Sequence, residues 1–309
     1  MSQIKEWLKV IGWQDFTIEV ASSDASFRSY YRMFSGGKSY IVMDSSKQKE
    51  SLIPFVDMQR RLCSVGVSVP DILNIDMDLG YAVLEDFGSI HLWDKLGDES
   101  NEAYYKKAID EIIHMQKADI NGLLPYDKEF LLFEMNLMEE WYLAKHLGVH
   151  LGNEQKSELA NVLEFIVSEV TAQPNGIFVH RDFHSRNIMI KDDETLGVID
   201  FQDARSGAVT YDLVSLLKDC YYEIDEVKRN NLVLYFRDQK DLNVDDGTML
   251  RWFDMMGLQR HIKVLGIFAR LSHRDGKDGY LADIPLTLKY VLETVVKYPQ
   301  TKPLLEILK

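Results

Sequence analysis

The sequence predicts an α+β chain in two lobes, a small antiparallel-sheet lobe followed by a larger, mainly helical one. Three observations predict it. The first 85 residues alternate extended apolar runs with turn residues in the order strand, strand, strand, helix, strand, strand. From about residue 100 the apolar residues change to helical spacing. Between residues 178 and 203, two short apolar runs each deliver a polar cluster. The 309 residues, 46% of them apolar, suffice for two cores.

Taken in order, Ile4, Trp7, Leu8 and Ile11 recur at helical spacing and predict an amphipathic helix over residues 2–13. Strands are predicted over 17–22, 28–34 and 40–44, the last two joined by the turn Ser35-Gly36-Gly37-Lys38. The loop 22–28 is rich in small residues, whose backbone N–H groups can approach phosphate oxygens closely. A helix follows over 49–64, then strands over 72–76 and 81–85 around Asp78-Leu79-Gly80. Leu84-Glu85-Asp86-Phe87-Gly88 closes the first lobe as a hinge whose backbone can bond an adenine edge. Beyond it, Tyr104, Ala108, Ile112 and Met115 predict one helix, and Phe130, Phe133, Leu137 and Trp141 predict an apolar core stripe on another. His146 and His150 lie four apart around Gly148 without a third ligand nearby, and read as surface histidines.

The net charge is −14 and no polybasic run occurs, so neither nucleic acid nor an anionic membrane surface is an expected partner. Cys63 and Cys220 are far apart, which fits free thiols in a reducing cytoplasm. No apolar run reaches membrane-spanning length. A cytoplasmic monomer is expected.

The chemistry concentrates in Phe178-Val179-His180-Arg181-Asp182-Phe183-His184-Ser185-Arg186-Asn187, followed by Gly197-Val198-Ile199-Asp200-Phe201-Gln202-Asp203. Four residues separate Asp182 from Asn187, and a second extended run delivers Asp200. This is the spacing of a kinase catalytic loop and its metal-binding aspartate. Asp182 is then the base for an acceptor hydroxyl, and Asn187 and Asp200 are oxygen ligands for Mg2+ on the phosphates of ATP. His180 is a structural support expected to bond the backbone near Asp200, and Asp212 caps its helix or braces the loop. Only about ten residues separate Asp200 from Thr210, too few for a peptide-binding segment. The acceptor is therefore a small molecule. Arg260, Lys263 and Arg270 share one side of a C-terminal helix, a stripe suited to a polar or anionic ligand or to pairing with the chain's own acids.

These segments resemble the aminoglycoside phosphotransferase and choline kinase superfamily. The resemblance is carried by Asp24–Arg28, Leu84–Gly88, the 180–203 block running on to Leu217, and Leu258–Leu271. The first and last of these are similar to the branch that phosphorylates amino sugars in cell-wall recycling. The resemblance implies a bilobal protein-kinase-like fold with an N-lobe over 1–86 and a C-lobe over 87–309. It implies ATP and Mg2+ between the lobes, with Ser26, Phe27, Arg28, Glu85 and Phe87 at the nucleotide. His184, Asp203, Arg205, Arg260 and Lys263 are the candidate acceptor contacts. The implied reaction is phosphorylation of the anomeric hydroxyl of N-acetylmuramate or N-acetylglucosamine. An aminoglycoside or other alcohol kinase and a non-catalytic binding module stay open as alternatives. One departure stands out: the third strand offers Met43 or Asp44 where kinases place a phosphate-gripping lysine. Either a nearby cation, with Arg28 as candidate, or the loop backbone and Mg2+ must do that work.

Overall fold

The structure, a computed structural model, describes residues 1–22, 28–97 and 101–309. In chain order the elements are α1 (Ser2–Val10), β1 (Thr17–Ser22), β2 (Ser29–Ser35), β3 (Lys38–Asp44), α2 (Leu52–Ser64), β4 (Ile72–Asp76), β5 (Tyr81–Glu85), α3 (Asn101–Met115), and α4 (Lys128–Leu137), which continues as a π-helix (Met138–His146). Then come α5 (Asn153–Ala172), β6 (Ile177–Val179), β7 (Ile188–Ile190), β8 (Leu196–Val198), β9 (Arg205–Gly207), α6 (Tyr211–Leu217), α7 (Glu226–Lys240), α8 (Asp246–Asp275), α9 (Ile284–Val295) and α10 (Pro303–Ile307). The chain divides into two compact units: Met1–Leu92 with Asn187–Asp203, and Trp93–Arg186 with Ala204–Lys309.

The first unit is built on a five-stranded antiparallel sheet in the order β1-β2-β3-β5-β4. Its inner strand β5 is buried at four of five positions, so its run Tyr81-Ala82-Val83-Leu84 is apolar throughout. Ile4, Trp7 and Leu8, one face of α1, pack with Met33, Val42, Tyr81 and Val83. The sequence division at residue 86 keeps this part contiguous, whereas by its contacts the unit takes back Asn187–Asp203. Hydrogen bonds explain the return. The Ile190 N–H donates to the Ile90 carbonyl and the Val198 N–H to the Ser68 carbonyl, both at 2.8 Å. Phe201 stacks on Phe55 of α2 with ring centroids 5.1 Å apart. A Cβ at Gly197 would lie 2.4 Å from the Phe87 ring, so only glycine lets β8 slide under that ring.

The second unit is organised around α8, buried without a break from Phe253 to Gly266. Asp245 caps its start through the Thr248 N–H (2.8 Å), and Gly276 in the left-handed region ends it. A Cβ at Gly266 would lie 2.4 Å from the Leu137 carbonyl carbon, so α8 meets backbone where α4 becomes the π-helix. Of the stripe Phe130, Phe133, Leu137 and Trp141 only Leu137 is buried, and Phe133 is 60% exposed. The buried side of α4 is Leu131, Glu134, Met135 and Leu137. These residues all lie on the regular part of the helix, before the π-helix begins at Met138, and the aromatic side chains stand beside its buried side. Among the described residues no helix is long and apolar enough to cross a membrane.

Glu111 on α3 gives a pH-dependent stability. Burial, with the charge of Asp110, raises its carboxyl to about 7, and its Oε2 is buried without a hydrogen-bond partner. The folded state therefore binds a proton that the unfolded state releases near pH 4–5, so stability falls as pH rises through that interval up to about 7. Glu111→Gln is expected to raise the melting temperature at about pH 8, by the equivalent of roughly 1–2 kcal/mol after allowance for solvent screening. At about pH 5 it should change little. Equal effects at both pH values would refute the assignment.

Candidate active site

β6 ends in the apolar pair Phe178-Val179, pinned to β9 by the Val179–Arg205 register, and delivers His180 into the interior. Arg181 has φ +81°, a left-handed backbone that a non-glycine residue adopts only under constraint. Asp212, buried at the start of α6, supplies the constraint. Its carboxylate accepts the N–H groups of His180 (2.8 Å) and Arg181 (3.0 Å). The brace predicted for Asp212 is thus present. His180 Nδ1 accepts the Asp182 N–H at 3.3 Å, so this imidazole supports the loop at Asp182 itself.

Around Asp182 lies a network the sequence did not suggest. Glu134 of α4 accepts from Arg181 Nη2 (2.7 Å) and pairs with Lys263 Nζ of α8 (3.2 Å). The Tyr126 hydroxyl also bonds Glu134, and the Tyr211 hydroxyl lies 3.0 Å from that of Tyr126 and 2.9 Å from Lys263 Nζ. The effect on Asp182 is electrostatic. Burial works to raise its carboxyl, but Lys263, His184, Arg260 and Arg181 outweigh burial and hold it at about 2. The carboxylate is therefore ionised throughout the neutral range.

Asp182 opens into a pocket of about 190 Å³ whose lining includes His184, Tyr221, Arg260, Lys263 and Phe268. Two aromatic side chains and several cations thus share the space in front of the carboxylate. A second buried acid, Asp219, fixes the far side. Its Oδ2 accepts the Ser185 N–H (2.9 Å) and hydroxyl (2.5 Å), and its Oδ1 accepts the Tyr221 N–H (2.9 Å). Of the predicted acceptor contacts, His184, Arg260 and Lys263 line this pocket with Asp182. Arg205 is held by the Pro125 carbonyl (2.9 Å) and lies 3.5 Å over the Phe130 ring. Asp203 belongs to the first unit, exposed and 3.5 Å from Gln202 Nε2.

The other half of the catalytic block lies within the first unit. Asn187 Nδ2 donates to Asp200 Oδ2 at 3.4 Å, and Gln202 Nε2 donates to Asp200 Oδ1 at 2.8 Å. Asp200 has φ +66°, a second left-handed non-glycine, anchored by the stacked Phe201 beside it. An amide oxygen and a carboxylate side by side are hard donors that fit Mg2+, which takes one or two protein ligands and completes its shell from phosphates and water. Among the described residues, no group of three or more His, Cys, Asp or Glu could hold a metal.

Of the expected nucleotide contacts, Ser26 and Phe27 lie outside the described residues. Arg28 is buried, and its Nη2 donates to the Ser51 carbonyl at 3.0 Å. Glu85 Oε2 accepts the Asp71 N–H at 3.3 Å, and Phe87 is buried against Gly197. A further residue, Arg32 of β2, ties down the Asp86–Gly88 segment. It bonds both Asp86 oxygens (2.7 and 3.1 Å) and the Gly88 carbonyl (2.7 Å). Its only sequence signal was a charge alternating with aromatics on a strand.

The Phosphotransferase enzyme family is matched over residues 17–239. The N-acetylmuramate/N-acetylglucosamine kinase of Neisseria meningitidis is 39% identical, covering 99% of this chain and 94% of that protein. The protein of the same name from Pseudomonas aeruginosa is 40% identical over 93% of this chain and 86% of its own length. Among solved structures, choline kinase LicA from Streptococcus pneumoniae superposes with a TM-score of 0.66 at 13% identity, covering 94% of this chain and 98% of that one. The ADP-bound aminoglycoside phosphotransferase APH(2'')-Ib gives 0.63 at 15% identity, covering 95% and 98%. The fold is the protein-kinase-like α+β fold of these enzymes.

Proposed function

The chain belongs to the phosphotransferase enzyme family, and from that premise we propose that it is an ATP- and Mg2+-dependent kinase phosphorylating the anomeric hydroxyl of N-acetylmuramate or N-acetylglucosamine. The acceptor class is carried by the near full-length likeness to kinases named for those two sugars. The pocket chemistry supports it. Tyr221 and Phe268 offer aromatic faces to a sugar ring, and Arg260 and Lys263 favour an acceptor that is neutral or anionic.

In the proposed mechanism the acceptor hydroxyl attacks the terminal phosphorus of ATP. The bond from that phosphorus to the leaving ADP oxygen breaks, and the hydroxyl proton passes to the Asp182 carboxylate. Mg2+, when bound, neutralises charge on the phosphates, and Asn187 and Asp200 are the side chains assigned to hold it. Asp182 is a weak base, because its cationic neighbours stabilise the ionised form. A hemiacetal hydroxyl is more acidic than an ordinary alcohol, which lowers the demand on such a base. Glu134, Asp212 and Asp219 hold the loop and its cations in place.

The proposal is tested by ADP release across free amino sugars, their methyl glycosides, choline and aminoglycosides. Free N-acetylmuramate and N-acetylglucosamine are expected to be turned over, and methyl N-acetylglucosaminide, which has no anomeric hydroxyl, is not. Equal turnover of the methyl glycoside would refute anomeric phosphorylation. Polycationic aminoglycosides, the second reading favoured by the fold, would meet Arg260 and Lys263 in the pocket, and poor turnover is expected for them.

A further inference from the structure

Most charged groups in the acceptor pocket already have partners inside the protein. Lys263 and Arg181 share Glu134. Asp219 is occupied by N–H and hydroxyl donors from Ser185 and Tyr221. Arg260 is different. It is 4% exposed, lines the pocket, and its Nε meets no hydrogen-bond acceptor. Among the described residues, the one hydrogen bond its guanidinium makes is from Nη1 to the Cys220 sulfur at 3.6 Å, and sulfur is a weak acceptor. Burial works against its charge, but the carboxylates of Asp182 and Asp219 favour the cation and prevail.

A guanidinium presents its N–H groups as a planar fork that matches a carboxylate with two parallel bonds. Leaving that fork buried and largely unmatched is costly, and the cost is relieved when a ligand supplies the anion. A group with a single delocalised negative charge suits this place better than a phosphate dianion, because Asp182 and Asp219 line the same pocket.

Resting on the amino-sugar kinase reading, we propose that Arg260 is the anion subsite of the acceptor pocket, binding the carboxylate of a carboxylate-bearing sugar through a two-pronged hydrogen bond. N-Acetylmuramate carries such a group on its lactyl ether, and N-acetylglucosamine does not. Arg260 is then the residue that sets the preference between the two. Cys220 beside it is a neutral spacer that leaves the fork open.

The test compares kcat/KM for the two sugars in the wild type, Arg260→Met and Arg260→Lys, with ADP affinity as the check that each variant is folded. In Arg260→Met the N-acetylmuramate to N-acetylglucosamine ratio is expected to fall by about 30–100-fold, the size of a lost charge-assisted double bond. Arg260→Lys keeps the charge without the fork and should lie between. Should Arg260→Met not fold, the lysine variant carries the test. Free D-lactate should raise the apparent KM for N-acetylmuramate in the wild type, with less effect in Arg260→Met. An equal loss for both sugars would assign Arg260 to the support of Asp182, and an unchanged ratio would remove it from recognition. Either outcome overturns the inference. If the wild type phosphorylates neither sugar, it is the proposed function that fails, a separate result.

Discussion

Asp182→Asn is expected to lower kcat by about 10³–10⁴-fold while leaving ADP affinity within roughly threefold of the wild type. The amide keeps the size of the carboxylate but cannot take the acceptor proton. Asp212 and His180 bond the backbone N–H groups at residues 180–182 and stay in place in the variant. Steady-state kinetics with a fluorescent nucleotide titration checks both parts. A large loss of nucleotide affinity, or retention of more than about a tenth of kcat, would remove Asp182 from the base role. The same carboxyl gives a pH expectation. Held at about 2, it is ionised above about pH 4, so any acidic fall in activity between roughly pH 5 and 7 belongs to another group.

Glu134→Ala is expected to cost about 3–5 kcal/mol of stability at neutral pH, the range for removing one partner of a buried ionic network. Arg181 and Lys263 would both lose their shared carboxylate, and the Tyr126 hydroxyl its acceptor. Burial acts to raise the Glu134 carboxyl, but Lys263 and Arg181 prevail and hold it below the usual range. Its stabilising contribution is then fully present above about pH 5 and is lost as pH falls through the depressed value. Denaturant midpoints at about pH 7 and pH 3 check this. The wild-type advantage should shrink at the lower pH, and a variant as stable as the wild type at pH 7 would refute it.

The parts legible in the sequence are those written in local pattern. β4 and β5 were predicted to the residue, because alternating or continuous apolar runs flank an Asp-Leu-Gly turn. The stretch that carries Asp182, Asn187 and Asp200 was singled out by spacing alone, and within it Asn187 meets Asp200 at 3.4 Å. What stayed hidden depends on contacts distant in sequence. Glu134 lies on a helix whose aromatic stripe suggested a different buried face. A glutamate on the inner side is readable only once Arg181 and Lys263 are seen to meet it. The Arg32 clamp on Asp86 joins residues 54 apart in sequence. The basic stripe on α8 was legible as a stripe, but its division into a paired Lys263 and a barely partnered Arg260 was not.

The first unit's two-piece construction has a consequence for how the chain is made. Met1–Leu92 is synthesised before Trp93–Arg186, yet the strands that finish that unit arrive only with Asn187–Asp203. Until then the Ile90 and Ser68 carbonyls lack the Ile190 and Val198 N–H donors, and the Phe87 ring lacks Gly197. Order of synthesis and order of completion therefore differ. No single proteolytic cut can release this unit whole, because its two stretches are separated by Trp93–Arg186.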